Sequence, residues 1–260
     1  MLSNKDLSIK NTFEIEITSI LKSDNKQLKE AFQHFLEKTL DYKKEFLQTH
    51  FNCAFDGYSY LGQKDSSNQY ETDLLHSFVL SEFSDAHKFP NEFQSFLNNE
   101  WETILAKVKE IELEIIKQLD IPNLKEFYTN TIGHMVSCNY YPRVINKNHT
   151  SKVRLSKHKD VSLFTVFVFG ATDGFTYENS LNKKLHLETT NNIVVFPGYL
   201  LEFLTNGKYK ALEHQVDFTQ KNEDRFSFAF FSIPSPNREL IFNDLTSTSD
   251  AYYEKYLSLF

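Results

Sequence analysis

The chain is poor in the residues that punctuate or staple a fold. Only seven glycines and six prolines occur in 260 residues, which excludes collagenous and linker-rich low-complexity architectures. Its two cysteines, Cys53 and Cys138, cannot build a disulfide framework, so a reducing, cytoplasmic setting is expected. No apolar run approaches the roughly 18 residues of a membrane span. Residues 1–10 are polar without an apolar centre, so no signal peptide is expected. A basic surplus is missing as well: the formal net charge is −7, which argues against a nucleic-acid partner. What the chain has in quantity is rings, 25 Phe and 13 Tyr, and these must fill its core. With 40% hydrophobic and 24% charged residues it has the balance of a globular protein, and its length suits one large domain.

The pattern changes character near the middle. Over 24–48, Leu28, Phe32, Phe35, Leu36, Leu40, Phe46 and Leu47 recur at helical spacing, with Asp24 and Gln27 placed as a capping box. A second helix is expected over 91–119, striped by Trp101, Ile104, Leu105, Val108, Ile111, Ile115 and Leu119 and stopped by Pro122. The polar stretch 57–69 reads as a loop. After Thr131 short β-rich runs follow at 135–141, 162–169, 184–187, 193–196, 199–204, 210–218 and 225–233, with turn signals between them. Residues 247–260 read as a closing helix. The expected fold is α+β: a sandwich, jelly roll or barrel flanked by mainly N-terminal helices. The parts are a helical segment (1–130), a β core (131–235) and a closing segment (236–260), forming one compact unit.

His158 and Asp160 stand two apart, so on an extended chain they point to one side. His214 follows 54 residues after Asp160, inside a strand-like run. Two imidazoles and one carboxylate make the ligand set of non-haem Fe(II) oxygenases, with positions left open for substrate, cosubstrate and oxygen. Along 225–230 the alternation sorts Phe226, Phe228 and Phe230 to one face and Arg225 and Ser227 to the other. A guanidinium fork beside a hydroxyl suits an organic acid, although a structural salt bridge would use the same Arg. Asn139 and Tyr141 share a strand face, and a buried phenol needs a polar partner. The basic residues Lys152, Arg154, Lys157 and Lys159 read as a solvated face, with attraction of acidic substrates as the alternative. Tyr58, Tyr60 and His76 are placed to cover a barrel mouth or simply to pack. Met135 and Phe169 belong to a pocket or to the core.

Together, His158-Lys-Asp160, the run from Leu204 through Asn206-Gly207 to His214, and Arg225-Phe-Ser227 resemble the Fe(II)/2-oxoglutarate-dependent dioxygenases, in their isopenicillin N synthase-like branch. Asn139-Tyr-Tyr-Pro142 and Ile193-Val-Val-Phe-Pro-Gly198 fit the same branch. The resemblance covers about 130–235 and implies a double-stranded β-helix, a distorted jelly roll. It implies Fe(II) on His158, Asp160 and His214, and 2-oxoglutarate on Arg225 and Ser227 with Tyr141 and Asn139 assisting. The implied activity is hydroxylation or desaturation of a small molecule in specialised metabolism, using O2 and decarboxylating 2-oxoglutarate to succinate. Asp160 retains the carboxylate that related halogenases lack. The sequence departs from the branch in Arg143-Val144 after the Tyr-Pro, in the loose Gly170–Phe175 segment, and in a short N-terminal part. An oxidase using no 2-oxoglutarate, with Arg225 and Ser227 holding the substrate's carboxylate, shares these motifs. A non-catalytic jelly-roll binding protein is the third reading. A monomer is the default expectation.

Overall fold

A computed structural model describes residues 26–51, 53, 55–60, 74–143, 153–170, 173–178, 183–187, 193–219 and 223–259, and the backbone of 13–15. Its architecture is the expected α+β double-stranded β-helix with flanking helices. The larger sheet runs, in spatial order, β1 (Phe13–Ile15), β9 (Ile193–Pro197), β6 (Phe164–Gly170), β11 (Arg225–Pro234), β4 (Ile132–Tyr141), β3 (His76–Ser81) and β2 (Gly57–Ser59). The smaller sheet is β5 (Val153–Lys159), β10 (Glu213–Asp217), β7 (Phe175–Glu178) and β8 (Lys184–His186). Every pairing between these named strands is antiparallel, and a separate hairpin joins β12 (Glu239–Phe242) to β13 (Leu245–Thr248).

The helices are α1 (Lys26–Leu36), α2 (Leu40–Lys44), α3 (Asn91–Asn99), α4 (Trp101–Leu119), α5 (Leu124–Thr131), α6 (Tyr199–Leu204) and α7 (Ser249–Leu257). The two long helices expected from the sequence are each broken. The first ends at Leu36 and resumes at Leu40 after Thr39, whose hydroxyl accepts from the Tyr42 amide. The second breaks at Glu100, where the backbone leaves the helical region (φ −121°). Asp120, not Pro122, ends α4, in a left-handed conformation (φ 49°) that closes helices readily. Asp24 lies outside the described residues, so the capping box is not seen.

The first half is also less purely helical than its periodicity implies. Gly57–Ser59, expected as loop, is a strand, and β3 adds a further strand that pairs with β4 along its length. Residues 199–204, expected as a strand, are helix α6. This run, Tyr-Leu-Leu-Glu-Phe-Leu, is too short and too uniformly apolar for periodicity to decide. As a helix it buries Leu200, Leu201 and Leu204 and turns Glu202 onto Lys159.

The alternation of β11 places Phe228 and Phe230 in the large core that the sheet shares with the helices. Phe169 packs tilted against Phe228 at the core's edge, Tyr58 packs edge-on against Phe35 within it, and buried Met135 belongs to the same core. Tyr58 also bonds His76 Nδ1 through its hydroxyl (2.8 Å). Between the two sheets lie two smaller apolar clusters. One joins Phe175, Val194, Phe196 and Leu212, and the other joins Leu75, Tyr141, Val216 and Leu155.

A polar cluster locks helix to sheet. His134 on β4 contacts Glu112 of α4 through Nε2 (2.7 Å) and Glu82 through Nδ1 (3.1 Å), and the Tyr128 hydroxyl donates to Glu112 (2.6 Å). Burial alone lowers the imidazole's pKa, but the two carboxylates outweigh it and the net shift is upward. Burial raises Glu82, yet His134 and Lys109 outweigh that and hold it at about 2. The raised His134 stabilises the fold fully below its unfolded pKa of about 6.5 and loses that contribution as pH rises through its folded value. Glu82 contributes above about 4.5 and loses its share as pH falls towards 2. Glu112→Ala leaves a buried imidazolium half-paired and is expected to cost about 3–5 kcal/mol. Urea unfolding at several pH values checks this, since the variant must also lose most of the alkaline fall in midpoint.

Candidate metal centre and acid-binding pocket

The antiparallel pairing of β5 with β10 sets His158 directly opposite His214. Directly opposed residues project to the same face, so their imidazoles meet, with ring centroids 4.3 Å apart. Asp160 follows the end of β5 and turns Oδ1 towards both, 3.3 Å from His158 Nε2 and 3.7 Å from His214 Nε2. One ligand atom from each of the three lies within 4.8 Å of the others, the only such His/Cys/Asp/Glu group among the described residues.

The neighbours prepare these atoms to bind a cation. His158 Nδ1 is 2.7 Å from the Ser156 carbonyl and His214 Nδ1 is 3.2 Å from the Leu212 carbonyl. A carbonyl only accepts, so each Nδ1 carries the proton and each Nε2 keeps its lone pair. Burial pushes the His214 pKa down to about 4, which keeps that ring neutral. Burial raises the Asp160 carboxyl, but His214, His158 and Thr165 outweigh it, so the group stays ionised. Its second oxygen accepts from the Thr165 hydroxyl (2.7 Å), and Ser162 bonds Thr165 in turn (2.7 Å).

The backbone around Asp160 is pinned from several sides. The Tyr199 amide donates to its carbonyl (2.7 Å), and α7 reaches in with the hydroxyls of Tyr252, to the Val161 carbonyl, and Tyr256, to the Lys159 carbonyl (2.9 Å). Gly198 passes so close that a Cβ there would stand 2.2 Å from the Ser162 carbonyl oxygen. His214 itself is clamped between Phe175 (centroids 4.7 Å, stacked) and the edge of Phe196 (5.1 Å). Thr165→Val removes the bond that orients Asp160 while keeping the shape. It is expected to weaken metal affinity about 10- to 100-fold with little loss of stability, as titration with Fe(II) or Mn(II) would show.

Arg225 and Ser227 face the same interior, opposite the ring-bearing face of β11. Both are buried, Arg225 Nη1 lies 3.3 Å from Ser227 Oγ, and the guanidinium carbon stands 4.7 Å over the Tyr141 ring, its cross-strand neighbour. Its Nε is 3.4 Å from Asp173. Asn139 pairs across with Ser227 and, on the other side, with Ser77, which bonds Ser59 (2.7 Å). A row of small polar groups thus crosses the floor of the barrel. The sequence reading missed Thr165, Ser162, Ser59 and Ser77. Single hydroxyl residues in apolar strands carry no local signal, and only the fold brings them to the site.

The basic run divides. Lys157 pairs with Glu213 (2.7 Å) and Glu178 (3.3 Å), and Lys159 with Glu202 (2.9 Å), on the outside. Arg154 is instead buried, against the expectation of a solvated face. Lys152 lies outside the described residues.

The donor set fits a metal that takes two imidazoles and a carboxylate and keeps open positions, which is Fe(II) of the oxygenase type. Residues 132–234 match the family described as the 2OG-Fe(II) oxygenase superfamily. A feruloyl CoA ortho-hydroxylase of Ipomoea batatas is 28% identical over 174 residues, covering 64% of this chain and 46% of that protein. The chain spans about half the length of the curated relatives it matches. Its fold is that of a full-length Neurospora crassa protein solved in complex with alpha-KG (TM-score 0.73, 19% identity, 95% of this chain and 85% of that one). It is similarly close to JOX2 solved in complex with 2OG, Fe and JA (TM-score 0.71, 19% identity, 95% and 77%).

Proposed function

We propose that this chain, whose residues 132–234 carry the core of the 2OG-Fe(II) oxygenase superfamily, is an Fe(II)- and 2-oxoglutarate-dependent oxygenase that hydroxylates or desaturates a small molecule. The observation that carries the reading is the convergence of His158, Asp160 and His214 with ligand atoms within 4.8 Å, in one barrel with a buried Arg225–Ser227 pair. His158, Asp160 and His214 hold the metal. Arg225 and Ser227 take the distal carboxylate of 2-oxoglutarate, with Tyr141 beneath the guanidinium and Asn139 on the adjoining row. When bound, Fe(II) and 2-oxoglutarate supply the oxidising power, with O2 consumed and succinate and CO2 released.

The protein's own contribution is positioning and exclusion of water. The Ser156 and Leu212 carbonyls fix the two imidazoles with Nε2 inward. Thr165 fixes Asp160 so that one oxygen stays on the protein and one faces the site. Phe175 and Phe196 wall off His214 and lower the local dielectric, which strengthens every charge interaction there. The polar row Ser59–Ser77–Asn139 gives a floor able to hydrogen-bond a substrate's hydroxyl or carbonyl groups.

The helical part (1–130), the β core (131–235) and the closing segment (236–260) work as one compact unit. Supporting this, β3 hydrogen-bonds along β4, and α7 bonds the backbone beside Asp160. Among the described residues no helix is long and apolar enough to cross a membrane. A cytoplasmic monomer acting on a small molecule in specialised metabolism, not on nucleic acid, completes the reading. An aromatic acyl thioester of the feruloyl CoA kind is the first substrate class to try, on the strength of the relatives' names.

Succinate assay tests the activity. Fe(II)-loaded protein given 2-oxoglutarate and O2 is expected to form succinate slowly, and faster with a true substrate. Oxygen consumption without succinate would favour the oxidase reading, in which Arg225 grips the substrate's own carboxylate.

A further inference from the structure

Arg154 is the largest polar side chain buried in the described structure, with 1% of its surface exposed, and the function outlined above does not use it. Its place follows from the irregular register of β5 on β10. Val216 pairs with Leu155, while the next residue, Asp217, pairs with Val153. Arg154 is therefore the extra residue of a bulge, a feature that re-aims a side chain out of strict alternation. Leu155 packs on Tyr141 and Val216 between the sheets. Arg154 goes inward with it.

The guanidinium is only partly satisfied. Nη2 donates to the Glu223 carbonyl (2.9 Å), two residues before Arg225, and the Phe218 ring lies 6.0 Å from the guanidinium carbon. Nε and Nη1 have no hydrogen-bond partner. Burial and then Arg225 push its pKa down, while Asp173, Tyr141 and Asp224 act the other way, so it stands among charges of both signs. Asp173, 42% exposed on its side chain, also lies 3.4 Å from Arg225 Nε. Neither carboxylate hydrogen-bonds Nε or Nη1 of Arg154. Buried donors left unmade are costly, and a ligand carboxylate placed against them would relieve that cost.

We propose that Arg154 is a second guanidinium of the acid-binding pocket, contacting the distal carboxylate of the cosubstrate beside Arg225 and so selecting a dicarboxylate. This rests on the oxygenase reading. It makes Arg154 a specificity residue with no part in the oxidation itself. The same strand then serves both ends of one ligand: His158 at the metal and Arg154 at the far carboxylate.

Calorimetry under anaerobic conditions, with Mn(II)-loaded protein, separates the outcomes. The probes are 2-oxoglutarate and 2-oxopentanoate, which has the same carbon chain without the distal carboxylate. Arg154→Met is expected to weaken 2-oxoglutarate at least about tenfold and to leave 2-oxopentanoate within about twofold. Arg154→Lys, which keeps the charge and is the safer variant for folding, is expected to lose several-fold for 2-oxoglutarate alone. Urea midpoints and metal stoichiometry accompany each variant. Unchanged 2-oxoglutarate affinity in a folded, metal-loaded variant would overturn the inference, leaving Arg154 as a prop for the Glu223 carbonyl. Equal weakening of both probes would overturn it too, since the change would not read the distal carboxylate. Wild-type protein that binds neither probe would overturn the oxygenase reading, and this inference with it.

Discussion

Asp160→Ala is expected to abolish specific Fe(II) or Mn(II) binding and with it all turnover. Asp160 is the one carboxylate of the triad, and its Oδ1 faces both imidazoles. Removing a group that merely orients a ligand costs about 10- to 100-fold in metal affinity, and removing a ligand itself must exceed that. The effect has a readout that needs no substrate. A metal at about 100 times its Kd stabilises the fold by about 2.7 kcal/mol. For a chain of this size that is a rise in Tm of roughly 5–10 °C. Wild-type protein should show the rise and Asp160→Ala none, while the metal-free midpoints of the two stay close. Equal rises in both would remove Asp160 from the metal site.

Arg225→Ala is the second large effect. The side chain is buried over the Tyr141 ring and beside the Ser227 hydroxyl, so its loss strips the pocket of a charge-assisted fork that water does not replace. Truncating one partner of a buried ion pair costs about 3–5 kcal/mol, which is a loss of roughly two to three and a half decades in 2-oxoglutarate affinity. Metal binding should be unaffected, since the triad belongs to the other sheet. Arg225→Lys should recover only part, because a point charge lacks the planar fork. Equilibrium titration of both variants checks this. Affinity within threefold of wild type in Arg225→Ala would assign the carboxylate elsewhere.

The residues proposed for the site were more legible than their surroundings. His158, Asp160 and His214 declare themselves by residue type, and the Phe226–Phe228–Phe230 alternation told which way Arg225 and Ser227 must face. That alternation is local, and the structure follows it. Strand β3 was not legible, because His76–Ser81 earns its place only by pairing with a strand more than fifty residues away, a context the local sequence does not hold. The charged neighbours Lys157 and Lys159 point to a solvated Arg154. The bulge that turns it inward is a property of register between two strands, and register is not written in either one alone. The Thr165 and Ser162 hydroxyls were invisible because they matter only through the way the turn after β5 folds Asp160 back onto Thr165.

The most direct test of the account is an anaerobic titration of Fe(II)-loaded protein with 2-oxoglutarate, following the visible charge-transfer band of the chelate. A band that saturates at one equivalent in wild type, needs far more 2-oxoglutarate in Arg225→Ala, and is absent in Asp160→Ala is the predicted result. Iron bound at one equivalent with no band at any 2-oxoglutarate concentration would contradict it.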